Sequence, residues 1–209
     1  MVASGLDPAQ IGRVVATLND AVVVRLLHHA EEVLGAPPCP YAWIVFGSEG
    51  RREQALLTDQ DNAIVYRADV PDARDYFARL AKKVVSGLTE AGFPPCPGGF
   101  MATNWCKSLD DWIELFDSWV QRPEPDALLD ASNFFDFRPV HGALSLEPLQ
   151  RILDTAHANH VFLAHLTAAG LRFRPPLGLF RTLKEDEGGI DLKKGGLLPL
   201  VSMARVYGL

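Results

Sequence analysis

Two short apolar runs constrain the fold of this chain more than any other feature of its sequence. The first is Tyr41-Ala-Trp-Ile-Val-Phe46, and the second is Asn62-Ala-Ile-Val-Tyr66. Proline and glycine residues flank the first run, and a short apolar run between such residues predicts a buried strand. We therefore expect two strands inside a small sheet, joined by the polar segment 47–61.

The polar segment opens with a Gly-Ser turn. Glycine at position 47 lets backbone N–H groups come close to a phosphate, and a following helix would offer its positive N-terminus. We expect that helix to be short and to run through Leu57. Arg51, in its first turn, could bind two phosphate oxygens with its guanidinium. Taken alone this signal is weak, because Gly-Ser turns also begin many ordinary loops.

Two aspartates, Asp59 and Asp61, lead into the second apolar run. Side chains at positions i and i+2 of a strand point to the same side, so the two carboxylates would meet at one point. A divalent cation relieves such repulsion, and Mg²⁺ held by carboxylates and substrate phosphates is usual in phosphoryl chemistry. An Asp-x-Asp pair alone more often caps a turn or faces solvent. The joint pattern is what supports a metal site.

The order of strand, Gly-Ser turn, arginine, short helix, Asp-x-Asp and strand resembles the DNA polymerase beta superfamily of nucleotidyltransferases. G-S-x-G-R-x-E followed by T-D-x-D resembles, within it, the branch of the PII uridylyltransferases and the glutamine synthetase adenylyltransferase. More narrowly, the chain resembles bacterial signal-transduction nucleotidyltransferases that occur beside CBS and cyclic-nucleotide-binding domains. Three further segments carry this likeness, namely 96–104, 135–142 and 190–199.

The resemblance implies a nucleotide site with three carboxylates. Gly47 and Ser48 would hold the β- and γ-phosphates of an NTP substrate. Asp59 and Asp61 would bind Mg²⁺ or Mn²⁺ and act in catalysis. The superfamily takes a third carboxylate from a later strand, where it binds metal and helps to activate the attacking hydroxyl. Asp136 is the candidate, because Asp-Phe-Arg resembles the Asp-x-Arg strand of the adenylyltransferases.

Two further cations are candidates for binding the phosphates, as is Arg51. Arg138 would lie on the same strand face as Asp136, where it could contact a phosphate or restrain Asp136. A surface salt bridge between those two residues is the plain alternative. Lys193 precedes a Gly-Gly pair that could begin a helix, and a solvated loop is the default interpretation there.

Other polar and aromatic residues have ordinary structural explanations. Glu53 matches the family pattern, but a carboxylate that pairs with Arg51 or Arg52 explains it at least as well. Asn104 fits a structural turn better than a contact with nucleotide. Three tryptophans fit helix packing better than base stacking: Trp105, Trp112 and Trp119.

The composition excludes several classes of protein. The net charge of -6 disfavours a dedicated nucleic-acid binder, because such proteins need a basic surface to neutralise phosphates. The three cysteines form no CxxC pair and fit neither a disulfide framework nor a zinc site. No apolar run is long enough to span a bilayer, and the N-terminus lacks the features of an export signal. We expect a cytoplasmic protein that has no membrane contact.

Helical periodicity and alternation predict the remaining elements. A helix or helix pair is expected at 7–35, with Asp7 and Pro8 at its start. Residues 134–140 alternate aromatic and charged side chains, as in a half-buried strand. The other expected helices cover 71–91, 108–121, 145–169 and 196–207, with a polar, glycine-rich stretch at 184–195.

These observations predict an α/β (α+β) nucleotidyltransferase fold with a small mixed sheet. Residues 1–36 would form an N-terminal helical segment and residues 37–142 the nucleotidyltransferase core. Residues 143–209 would form a C-terminal helical region that packs over the nucleotide cleft and is cut short by the end of the chain.

The resemblance implies an enzyme similar to the PII uridylyltransferases. It would use Mg²⁺ to transfer NMP from an NTP to a hydroxyl of a protein or small molecule, in bacterial signal transduction. The alternative is a nucleotide-binding regulatory module without turnover, within a larger sensory protein. Expected partners are the nucleoside triphosphate, a protein acceptor, and CBS or cyclic-nucleotide-binding domains of a longer chain.

Overall fold

The chain divides into two compact units. The structure, a computed structural model, describes residues 5, 7–54, 58–67, 70–173 and 191–209. The first unit comprises Met1–Glu114 and Asn133–Glu147, and the second comprises Leu115–Ser132 and Pro148–Leu209. The domain boundaries that we predict at residues 36 and 142 stay a prediction.

A mixed sheet forms the centre of the first unit. Its strands are β1 (Tyr41–Val45), β2 (Asn62–Tyr66), β3 (Cys106–Ser108) and β4 (Arg138–Gly142), in the spatial order β3-β2-β1-β4. β1 pairs antiparallel with β2 and β4, whereas β2 pairs parallel with β3. Every residue of the two central strands is buried, which explains their apolar sequences. The two predicted strands and the small mixed sheet are therefore confirmed.

Two long helices supply much of the first unit's hydrophobic core. They are α1 (Pro8–Leu34) and α3 (Ala73–Glu90), as the periodicity predicts, and α1 is a single helix. Pro8 is the first residue of α1, and the N–H of Asp7 donates to the side chain of Gln10 at 3.2 Å. Apolar residues of both helices lie in one cluster with the central strands: Leu27, Trp43, Ile64, Phe77 and Leu80.

An aromatic cluster forms a second part of the core. The ring of Phe134 lies 4.4 Å from the ring of Phe46 and 4.4 Å from that of Trp105, measured between centroids. Trp112, in α4 (Leu109–Gln121), is fully buried and donates its indole N–H to the carbonyl of Ile64 at 3.1 Å. The predicted packing role of these tryptophans is confirmed.

We predict a strand at 134–140, and this prediction is wrong for the first residues of the range. Residues Ser132–Asp136 form a 3-10 helix, and β4 begins only at Arg138. Phe134 and Phe135 are both buried within this helix. Because the chain is helical up to Asp136, Asp136 does not lie on the strand that carries Arg138.

The second unit is helical in its described residues. It contains α5 (Pro125–Ala131), most of α6 (Glu147–Ala156), α7 (His160–Gly170), a π-helix (Lys193–Leu197) and α8 (Leu198–Gly208). The helical pattern predicted at 145–169 is confirmed as two helices, because the side chain of Asn159 begins the second by accepting the N–H of Phe162 at 3.0 Å. Much of the predicted polar stretch at 184–195 lies outside the described residues. Across the described parts of the chain, no helix is long and apolar enough to cross a membrane.

Candidate functional site

The Gly-Ser turn lies directly after β1. It opens a four-residue helix, α2 (Gly47–Gly50), which is shorter than the helix that we predict through Leu57. Arg52 ends the helical path because its φ is +58°, in the left-handed region. Residues 55–57 lie outside the described residues. Gly47 itself has a φ of +60°, a conformation that glycine adopts without strain.

The second glycine of the turn allows a close approach to the segment that carries Asp136. A Cβ atom on Gly50 would lie 1.8 Å from the carbonyl oxygen of Asp136. No side chain can replace the hydrogen there unless the backbone moves. The structure thus brings together the Gly-Ser turn and Asp136, two features that are distant in sequence.

The aspartate pair lies just before β2 rather than on it. The strand begins at Asn62, so the same-face argument from strand geometry does not apply to Asp59 and Asp61. The carbonyl of Asp61 accepts the N–H of Phe46 at 3.2 Å. One oxygen of its carboxylate, Oδ2, lies 3.6 Å from where a Cβ on Gly47 would be. Asp61 therefore lies beside the Gly-Ser turn, and Asp59 is half-buried two residues earlier.

Buried polar contacts fix the segment around the aspartates. Gln60 is only 2% exposed, and its side-chain amide donates to Thr89 and to the carbonyl of Phe93, both at 3.0 Å. The side chain of Asn62 accepts the N–H of Ala102 at 2.8 Å. The segment 96–104, one of those that carry the family resemblance, therefore packs against the start of β2.

Arg51 and Asp136, which we assign separate roles, form an ion pair with each other. The Nη1 group of Arg51 donates to Oδ2 of Asp136, and its Nε group donates to Glu53 at 2.8 Å. The expectation that Glu53 pairs with a neighbouring arginine is confirmed. The ion pair means that the phosphate ligand and the third carboxylate of the predicted site neutralise each other here.

Arg138 pairs with a residue that the sequence does not indicate. Its two terminal nitrogens donate to the two carboxylate oxygens of Asp20, each at 2.9 Å, and one also donates to the carbonyl of Glu49 at 3.3 Å. The predicted pairing of Arg138 with Asp136 is wrong, because the 3-10 helix removes Asp136 from the strand. Asp20 lies in α1, which we place outside the core, and helical periodicity gives no sign of this contact.

Glu49 is a second residue that sequence reasoning misses. It is 7% exposed, and burial raises the pKa of its carboxyl to about 8, with further increases from the negative charges of Asp61 and Asp20. The positive charge of Arg138 acts in the opposite direction. A glutamate inside a Gly-Ser-Glu-Gly turn between two buried strands is the one sequence signal that could have found it.

Lys193 and Asn104 are the remaining candidates that the sequence raises. Lys193 is exposed at the start of the π-helix, in the second unit. The side chain of Asn104 donates to the carbonyl of Gly99 at 2.9 Å, which confirms its role in a structural turn. Lys193 as a phosphate ligand stays a prediction.

The carboxylates of the first unit supply the oxygen ligands and the negative charge that a hard divalent cation prefers. Asp61 and Asp20 both place negative charge near Glu49 in the turn. Mg²⁺ is commonly bound by one or two carboxylates together with substrate phosphates, rather than by protein alone. Among the described residues, no group of three or more histidine, cysteine, aspartate or glutamate side chains is arranged to hold a metal ion.

A small mixed sheet with a Gly-Ser turn beside an aspartate pair defines a nucleotidyltransferase-like α+β protein. Residues 1–126 match the family model described as "Putative nucleotidyltransferase DUF294", and residues 160–209 match "Putative nucleotidyltransferase substrate binding domain". The first match covers more than half of the chain, so the chain belongs to this nucleotidyltransferase family. No curated protein matches it. The predicted likeness to nucleotidyltransferases is confirmed at this level.

Proposed function

We propose that this protein transfers NMP from an NTP to a hydroxyl group of a protein or small molecule and that it requires Mg²⁺. The observation that carries the proposal is the contact between Asp61 and the Gly47 turn, within a chain of this family. Backbone N–H groups of the turn would bind phosphate oxygens. Asp59 and Asp61 would hold the cation beside them, and the cation would offset the negative charge of the phosphates.

The reaction forms a bond between the acceptor oxygen and the α-phosphorus. The bond from that phosphorus to the bridging oxygen breaks, and pyrophosphate leaves. The proton of the acceptor hydroxyl passes to a carboxylate of the site, for which Asp136 is the candidate. The protein's contribution is to position the reactants and to stabilise charge, without a covalent intermediate.

The ion pair between Arg51 and Asp136 bears directly on this role. While the pair persists, the carboxylate of Asp136 is occupied by the guanidinium of Arg51. Phosphates of a bound NTP would compete for Arg51, since guanidinium binds phosphate and carboxylate with the same geometry. Binding of substrate would then make Asp136 available to the acceptor.

The same ion pair favours a second candidate function, a nucleotide-binding regulatory module without turnover. In that case Asp136 remains paired with Arg51, and bound nucleotide changes the state of a larger sensory protein. The resemblance to PII uridylyltransferases and to proteins with CBS or cyclic-nucleotide-binding domains motivates a signalling role in the cytoplasm for either candidate.

A panel of the four NTPs, each with and without Mg²⁺, tests the proposal. We expect at least one NTP to raise the melting temperature in Mg²⁺, and pyrophosphate to form once a suitable acceptor is present. Replacing both Asp59 and Asp61 with Ala should abolish both effects. The matched control replaces two exposed aspartates, Asp75 and Asp110, and should retain both.

The outcomes separate the candidates. Nucleotide binding and pyrophosphate release that survive the Asp59→Ala, Asp61→Ala change would disprove the proposal. Stabilisation by Mg²⁺ and nucleotide with no pyrophosphate across a broad acceptor screen would favour the regulatory module. A preference for UTP over ATP would support the likeness to the uridylyltransferases.

A further inference from the structure

A basic cavity lies in the first unit at the start of α1. Its volume is about 530 Å³, and its walls come from the first two turns of α1 and from the residues just after α2. The lining residues are Pro8, Ala9, Arg13, Arg51, Arg52 and Glu53. We call it the arginine pocket. The predicted roles of the Gly-Ser turn and the aspartates do not explain it.

The arginine pocket has an excess of positive charge on a protein whose net charge is -6. Three arginines face one glutamate, and Glu53 already pairs with Arg51. Arg13 and Arg52 are exposed, and neither guanidinium has an ion-pair or hydrogen-bond partner among the residues that the structure describes. Like charges that line one cavity repel each other, and a bound anion would remove this repulsion.

The backbone of Arg52 has a conformation that is energetically unfavourable for a residue with a side chain. Its φ of +58° lies in the left-handed region, where glycine is favoured over residues with a side chain. The carbonyl of Arg52 packs against α1 so closely that a Cβ on Gly12 would lie 2.7 Å from its oxygen. Arg52 therefore presents a guanidinium at a position whose backbone glycine would fit better.

Arg51 connects the arginine pocket to the predicted catalytic carboxylate. One edge of its guanidinium faces Glu53, which lines the pocket, and Nη1 contacts Asp136. An anion in the pocket would therefore lie next to the arginine that neutralises Asp136. The carboxylates of Asp59 and Asp61 do not line this cavity.

We propose that the arginine pocket binds a phosphate-bearing ligand through Arg13, Arg51 and Arg52. Guanidinium groups bind phosphate oxygens with paired hydrogen bonds, and three of them can surround one phosphate or a diphosphate. The phosphate belongs either to the tail of the NTP or to a separate phosphorylated molecule. The proposal goes beyond the proposed function, because this binding requires neither Mg²⁺ nor the two aspartates.

Phosphorus NMR titration with inorganic pyrophosphate, in the presence of EDTA, tests the pocket directly. We expect the wild-type chain to bind pyrophosphate, and the double variant Arg13→Gln, Arg52→Gln to bind it about tenfold more weakly. Arg25→Gln is the matched control, since Arg25 is an exposed arginine of the same helix that does not line the cavity. Equal affinity in all three proteins, or no binding by the wild type, would overturn the proposal.

Arg52→Gly separates binding from folding. Glycine relieves the left-handed backbone but removes the guanidinium, so the melting temperature should stay equal or rise while pyrophosphate affinity falls. A variant that loses affinity only because it unfolds would show a lower melting temperature. Unchanged affinity in folded Arg52→Gly would count against a role for Arg52 in the pocket.

Two further experiments identify the source of the phosphate. They also distinguish failure of this proposal from failure of the proposed function. Pyrophosphate binding in EDTA should persist in the Asp59→Ala, Asp61→Ala variant even if Mg²⁺-dependent nucleotide binding is lost. Displacement of pyrophosphate by ATP with Mg²⁺ assigns the pocket to the nucleotide's own phosphates. Simultaneous binding of both assigns it to a separate phosphorylated ligand.

Discussion

The two units of this chain use charged side chains in different ways. In the first unit Arg138 and Asp20 form a two-bond ion pair whose side chains are only 17% and 22% exposed. In the second unit Arg172 and Asp126 pair with side chains that are 48% and 87% exposed. Water screens the second pair, so it contributes little to stability, whereas loss of one partner of the first leaves a charge largely out of water.

Two glycines, one from each unit, differ in the same sense. The Cβ position on Gly50 is occupied by the backbone of Asp136, but nothing lies within 4 Å of the Cβ position on Gly196. Close backbone packing and buried charge occur together around the Gly-Ser turn. This region depends on contacts between segments that are distant in sequence, and single substitutions there should be costly.

The largest effect is expected for Gly50→Ala. The new methyl group would require the turn or the 3-10 helix to move, and we expect a loss of about 3 kcal/mol in the free energy of unfolding. Urea denaturation of the variant measures this loss. Gly196→Ala is the control and should change stability by less than about 0.5 kcal/mol. If Gly50→Ala and Gly196→Ala were equally stable, the difference in packing between these two glycines would have no effect on stability, contrary to our expectation.

A smaller loss is expected when the buried ion pair is broken. Asp20→Asn leaves the charge of Arg138 without its partner, and we expect a loss of about 2 kcal/mol, reduced from the value for a fully buried pair by the partial exposure. Asp126→Asn should cost no more than about 0.5 kcal/mol. Denaturation at low and at high salt tests the difference between the two ion pairs further. Salt should weaken mainly the exposed pair.

The smallest effect, for each pH unit, is the pH dependence that Glu49 adds. Its pKa is about 8 in the native state, against about 4.5 for an ordinary glutamate. Between these values the native state holds a proton that the unfolded state releases, so the free energy of unfolding falls as pH rises, by about 1 kcal/mol per pH unit. Glu49→Gln should remove this slope.

Denaturation curves measured from about pH 5.5 to about pH 7.5 test the effect of Glu49. The exposed carboxylate of Glu53 supplies the control, since Glu53→Gln makes the same chemical change in the same segment. A wild-type slope that is unaffected by Glu49→Gln would show that Glu49 is not the group responsible. Mg²⁺ should reduce the slope, because a nearby cation favours the ionised carboxyl.

The sequence predicts those parts of the fold that depend on neighbouring residues. The runs at 41–46 and 62–66 are apolar because β1 and β2 are buried on both faces, and this requirement is visible in each run. Helical periodicity identifies α1, α3 and α4 for the same reason. The order of the Gly-Ser turn and the aspartates is enough to predict a nucleotidyltransferase, which the family match supports.

Where the prediction fails, the deciding contact joins distant parts of the chain. The alternation over 134–140 predicts a strand, but residues up to Asp136 form a 3-10 helix whose last carbonyl lies against Gly50. That helix in turn separates Asp136 from Arg138. Each then pairs with a residue from another segment, Arg51 and Asp20 respectively.

The sequence by itself determined the class of protein, the two central strands and the residues of the turn. Only the tertiary structure decided which charges meet. Charged side chains follow no period that reports their partners, because an ion pair depends on the distance between segments in space. For that reason the pairing of Arg51 with Asp136, the burial of Glu49 and the arginine pocket became visible only in the folded chain.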